Sequence, residues 1–116
     1  MVVLALIAAI AAADDPSPPP ATSKLYLAGK TAYENTCAAC HGVTGDGAGP
    51  VAFALKPPPR NFQKDAFKAG DTVPQVFHTI TYGLADSKMV GYPSIDENTR
   101  WGLAYYVVSF RPKNPK

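Results

Sequence analysis

Three stretches of the chain repeat apolar residues with helical spacing, and none alternates with the period of two that marks a half-buried strand. From about Lys24 to Asn35, residues Leu25, Ala28, Gly29, Ala32 and Tyr33 fall on one face, with Ser23 placed to cap the helix they predict. Val73, Val76, Phe77 and Ile80 follow at i, i+3, i+4 and i+7. Asp71 or Thr72 caps this second helix and Gly83 ends it. Ser94, with Glu97 three residues on, forms a capping-box pattern opening a third helix through Phe110, where Pro112 stops it; Ile95, Leu103, Tyr106 and Phe110 make its inner face. Between the first two helices, residues 42–70 are rich in Gly and Pro, which favours a wrapping loop with one short helix near Lys64 to Ala69. The expectation is an all-α domain of three to five helices.

Ahead of the first helix the pattern changes character. Val2 to Ala13 is an unbroken apolar run with no charge, and Ala11-Ala12-Ala13 offers an A-x-A cleavage site, so residues 1–13 read as a signal peptide or as an N-terminal membrane anchor. As a helix the run would reach only about 18 Å against a hydrocarbon core of about 30 Å, and no Lys or Arg precedes it. Residues 14–23, with Pro16, Pro18, Pro19 and Pro20, form a Pro-rich linker of polyproline type. The domain proper is residues 24–116. The location expected is the periplasm or the outer face of the cytoplasmic membrane, with membrane association through residues 2–13.

Composition narrows the partners. Eleven Lys and Arg against nine Asp and Glu give a net charge of +2, which cannot supply the dense basic stripe a phosphate backbone requires, so nucleic acid is not expected. A domain of this size lies close to the limit of what a core holds together alone, and a cofactor or a staple would help it.

The two cysteines, Cys37 and Cys40, are separated by two alanines and followed at once by His41. C-A-A-C-H is the attachment pattern of haem c. Two thiols one helical turn apart can meet the two vinyl groups of one porphyrin edge as thioethers, while the adjacent imidazole is directed at the iron. The competing readings are weaker. A thioredoxin-type dithiol expects a strand-helix-strand context, and a zinc site needs four ligands where only His78 would remain to complete the set.

With CAACHG followed by GDGAGP, a methionine in a late loop and an L-x-x-Y pattern in the last helix, the chain from about Lys24 to Phe110 resembles the small monohaem, class I c-type cytochromes. The resemblance implies an all-α fold wrapped around one haem c, covalent through Cys37 and Cys40. Gly29 and Tyr33 of the first helix would cross Leu103 and Tyr106 of the last. It also implies that the Pro50 carbonyl accepts the Nδ1 proton of His41. Methionine occurs only at residues 1 and 89, which makes Met89 the second axial ligand beside His41; His78 is the rival, and a gap-filler packed on Tyr92 is the plain alternative for Met89. One departure is that Val90-Gly91-Tyr92 intervenes before Pro93, where the family commonly has proline directly after the ligand.

Supporting residues are read more loosely. Arg60 and Asn61 are candidates for a haem propionate, and Phe53, Leu55, Phe62, Phe77, Ile80 and Tyr92 for the haem cage. Lys56, Lys64, Lys68 and Lys88 are candidates for a basic rim near the haem edge. Trp101 is left open between a haem contact and a partner-facing position. The function implied is single-electron carriage, without enzymatic turnover, between redox protein partners: a quinol-oxidising complex or dehydrogenase as donor, an oxidase or reductase as acceptor. A membrane-tethered haem c subunit of a larger complex is the alternative, and a haem sensor or peroxidase with an open sixth site a more distant one.

Overall fold

Thr22 starts the first helix by accepting, at its Oγ1, the N–H of Leu25 at 3.1 Å, one residue earlier than the cap expected at Ser23. The computed structural model describes residues 15–112. The signal or anchor reading of residues 1–13 and the last four residues of the domain lie outside the described residues.

Helix α1 spans Ser23–Ala32 and runs into a π-helical turn, Tyr33–Cys37, where the Ala38 N–H donates to the Tyr33 carbonyl. A short α2, Ala38–His41, follows. After the loop, which holds a 3-10 turn at Ala52–Ala54, come α3 (Val73–Tyr82) and α4 (Glu97–Ser109). Among the described residues there is no strand, only an isolated antiparallel bridge between Gly83 and Val90, so the domain is all-α as the periodicity implied. No helix among the described residues is long and apolar enough to cross a membrane.

Caps account for the boundaries. Thr72 and Gln75 form a full capping box at α3, with Pro74 in the first turn where its missing N–H costs nothing. The last helix is capped by Asp96, which accepts the N–H of Thr99 at 3.1 Å and its hydroxyl at 2.7 Å. The expected Ser94/Glu97 box does not form, because the Ile95 N–H turns back to the Tyr92 carbonyl and the helix begins two residues later. The helix expected near Lys64 to Ala69 is a pair of turns, fastened by Asn61 and Asp65.

The core forms where α1, α3 and α4 meet. Tyr33, Phe77, Trp101 and Leu103 are almost fully buried, and each such side chain contributes about 1.5–3 kcal/mol through loss of apolar contact with water. Helices α1 and α4 cross at Gly29 and Gly102: a Cβ on Gly29 would overlap the Gly102 carbonyl, and one on Gly102 would overlap the carbonyl of Leu25. Around this crossing Tyr106 packs on Tyr33 and on Tyr26, each with ring centroids 5.2 Å apart. The expected pairing of Gly29, Tyr33, Leu103 and Tyr106 is therefore present, and Gly102 is the partner that periodicity did not reveal.

The Pro-rich segment ahead of α1 lies against the domain at two points. Tyr105 of α4 donates its hydroxyl to the Pro19 carbonyl at 2.6 Å, and His78 of α3 pairs through Nδ1 with the Asp15 carboxylate at 2.6 Å.

Candidate functional site

A π-helical turn places one extra residue in the helix just before the Cys37-Ala38-Ala39-Cys40-His41 string, and insertions of this kind often mark functional sites. Tyr33 at its start is buried and donates its hydroxyl to the Gly42 carbonyl at 2.6 Å, tying the turn to the far end of α2. Burial raises the Tyr33 pKa, so this phenol stays a donor. Cys37, Cys40 and His41 then all face one cleft, and Met89 lies in its wall with Leu55, Arg60, Phe62, Ile80 and Tyr92. The cleft holds about 1230 Å³ of space free of protein atoms, counting what opens to solvent. Its wall is mostly apolar, with Val76, Leu84, Leu103 and Val107 contributed by three different segments.

His41 is half-buried, and its Nδ1–H donates to a carbonyl at 3.1 Å. A carbonyl can only accept, so the proton sits on Nδ1 and Nε2 keeps its lone pair for a metal. Burial lowers the His41 pKa and the hydrogen bond partly offsets this, which leaves the ring neutral near pH 7. Both cysteines are free thiols; burial, and then the neighbouring Cys40, push Cys37 up to about 11. Tyr92 is raised in the same way, by burial first and then by the two thiols. A neutral imidazole with a free nitrogen, two free thiols one turn apart and a thioether in one apolar cleft form a donor set that fits a haem.

The carbonyl that accepts from His41 belongs to Arg60, and the expected role of Pro50 is corrected. The Gly47, Gly49 and Val51 N–H groups donate to the carbonyls of His41, Cys40 and Ala39, which draws the loop along the outer side of α2 and leaves Pro50 exposed. The chain returns to the imidazole only after Pro57-Pro58-Pro59, at Arg60. The Asn61 side chain accepts from the Gln63 N–H at 2.9 Å and is not part of the cleft wall, whereas Arg60 is. Phe53 is 85% exposed and outside the cleft, because the 3-10 turn Ala52–Ala54 points it to solvent. Phe77 is 1% exposed but belongs to the core, stacked on Trp101 with centroids 3.7 Å apart; Trp101 is thereby neither in the cleft wall nor on the surface.

Helix α3 turns Val76, Thr79 and Ile80 to the cleft and His78 away from it, so the two candidate axial ligands are separated by position. Hydrogen bonds shape the loop that carries Met89. Leu84 N–H donates to the Met89 carbonyl at 3.0 Å, Ser87 Oγ donates to the Leu84 carbonyl at 3.0 Å and accepts the Met89 N–H at 3.1 Å, and Tyr92 N–H reaches the Ile80 carbonyl at 2.7 Å. The Gly83–Val90 bridge and these bonds hold the loop without a proline after Met89. Of the four lysines of the expected rim, Lys68 and Lys88 line the cleft and Lys56 and Lys64 do not.

The sequence shows one contributor only in part and another not at all. Phe62, expected as one cage residue among six, stacks its ring directly on His41, with centroids 4.3 Å apart and planes at 19°. Arg111, outside every expected site, donates from Nη1 to the carbonyls of Phe62 and Asp65, each at 2.7 Å. The signal available was a lone arginine between the end of the last helix and Pro112.

The family model described as Cytochrome c matches residues 26–111. No curated protein matches the chain. Among solved structures, a chain of the reducing HAO-like protein complex of Kuenenia stuttgartiensis is similar over 83% of this chain, with 29% sequence identity and a TM-score of 0.70. The similarity spans 46% of that longer chain.

Proposed function

Since the chain belongs to the cytochrome c family, we propose that it is a single-electron carrier holding one haem c through Cys37 and Cys40, with His41 and Met89 as axial ligands. The observation that carries the proposal is the convergence of these four residues on one apolar cleft. Bound haem supplies a one-electron Fe(III)/Fe(II) couple. The chain's own residues do the rest. The Arg60 carbonyl holds the imidazole by its proton and raises its basicity, and the Met89 thioether would favour the reduced state of a bound haem. His41 and Met89 would together hold the iron from two sides, and iron so held would leave no position for substrate, which supports carriage over turnover.

A thioether-raised potential supports a quinol-oxidising complex or dehydrogenase as donor and an oxidase or reductase as acceptor. The apolar run of residues 2–13 supports a periplasmic place or one on the outer face of the cytoplasmic membrane. A second reading, a haem c subunit or domain within a larger redox assembly, is favoured by the Kuenenia chain, which belongs to a complex and is about twice as long as the part matched here.

Mass spectrometry of the denatured protein tests the cofactor: one haem of added mass, lost in Cys37→Ala with Cys40→Ala, is expected. An unmodified mass from cells that mature c-type cytochromes would refute it. Carbon monoxide tests the ligation, because a reduced protein that binds it readily at neutral pH has an open sixth site and is a sensor or peroxidase instead.

A further inference from the structure

One short stretch of chain grips His41 from two directions. The Arg60 carbonyl takes the Nδ1 proton at 3.1 Å, and two residues later the Phe62 ring lies against the imidazole face, 4.3 Å between centroids and 19° from parallel. The hydrogen bond fixes where the ring edge points. It leaves the ring free to rock about the N–H···O line, and a flat aromatic surface against one face removes that freedom.

Phe62 is itself held. Its N–H donates to the Gly45 carbonyl at 2.7 Å, and its carbonyl accepts from Arg111 Nη1 at 2.7 Å. Arg111 grips the same loop at two more points, the Asp65 carbonyl at 2.7 Å and the Asp71 carboxylate at 3.3 Å from Nε. Its guanidinium lies 4.5 Å from the centre of the Phe67 ring, which tilts against Phe62 at 5.3 Å. A planar fork that meets two carbonyls, a carboxylate and a ring face fixes the loop in a way a single ammonium does not.

We propose that Phe62 is a positioning residue that sets the plane of the His41 imidazole, and that Arg111 locks it there from the end of α4. The inference rests on His41 as an iron ligand. In low-spin ferric haem the imidazole plane and the thioether lone pair together decide how unpaired spin divides among the four pyrroles, so that with Met89 unchanged a reordering of the haem-methyl proton resonances reports a turn of the imidazole plane.

The experiment uses the full chain with haem attached. Phe62→Leu keeps apolar bulk and removes the flat face; it is expected to reorder the haem-methyl resonances, while Phe62→Tyr keeps the wild-type order. Arg111→Gln leaves the aromatic cluster in place and is expected to shift the resonances in the same sense as Phe62→Leu, by less, so it reads the lock even where Phe62→Leu does not accumulate. Wild-type order in Phe62→Leu or in Arg111→Gln overturns the positioning role alone. A wild type whose spectrum lacks low-spin His ligation overturns the ligand reading as well, and the two failures are thereby told apart.

Discussion

Met89 and His78 sit in neighbouring segments and differ in one respect that decides their chemistry: Met89 lines the cleft, and His78 is exposed and paired with Asp15. Met89→Ala is expected to lower the reduction potential, abolish the Fe–S charge-transfer absorption and let carbon monoxide bind, whereas His78→Ala leaves all three unchanged. Redox titration and optical spectra of both variants check this. Tyr33 makes a second prediction at this scale. Tyr33→Phe leaves the Gly42 carbonyl without its buried donor and is expected to cost about 1–3 kcal/mol in chemical denaturation. The folded Tyr33 pKa is raised above its unfolded value of about 10, mainly by burial, so its contribution is fully present below that pH and is lost as the pH rises further. Between about pH 9 and about pH 11 the wild type should therefore lose more stability than Tyr33→Phe does. Which residues could be read in advance follows from the same distinction. The cysteine pair and the histidine beside it are a contiguous string, and Met89 is the lone methionine outside the leading apolar run, so both were readable. Pro50, Phe53 and Asn61 depend on where a Gly- and Pro-rich loop travels in space, which adjacent residues do not encode, and Phe77 of α3 belongs to the core because Trp101 of α4 stacks on it, a pairing the period of either helix alone does not give.

Helices α1 and α4 approach as closely as they do because both partners lack a side chain at the crossing. Gly102→Ala is expected to cost about 3 kcal/mol through overpacking against backbone, which cannot rotate aside. That corresponds to a loss of roughly 15 °C in melting temperature for a domain this size, measurable by circular dichroism. Gly29→Ala should do the same, and the double variant should cost less than the sum, because both methyls spread one crossing. The three long helices were readable from the period of their apolar residues, since those residues define the buried face. Their starts were readable only within one or two positions. Ser23 and Thr22, or Ser94 and Asp96, are equally good oxygen acceptors, and the choice between them is made by the turn ahead, as when Ile95 bonds back to Tyr92. The π-helical turn left no trace in the composition, because it differs from α-helix by one residue of register.

Across the whole molecule, the loop from Gly42 to Gly70 has little regular structure of its own and borrows its shape from what it touches: the carbonyls of α2, the imidazole of His41 and the guanidinium of Arg111. A wall built this way around an open cleft depends on what fills the cleft. Cys37→Ala with Cys40→Ala, which removes the attachment points, is expected to abolish cooperative thermal unfolding and to raise the hydrogen-exchange rate of residues 42–70 far above that of α1 and α4. A sharp melt near that of the parent protein would show that the polypeptide alone holds the wall.

The segment that precedes α1 meets the domain twice, Pro19 at Tyr105 and Asp15 at His78, the latter on the side of α3 turned away from the cleft. A body hung from one point can swivel; hung from two points up to about 12 Å apart along an extended strand, it resists turning. The two contacts thus set the direction in which the segment leaves the domain. Were residues 2–13 an anchor, the open edge of the cleft would take its heading from that attachment behind it.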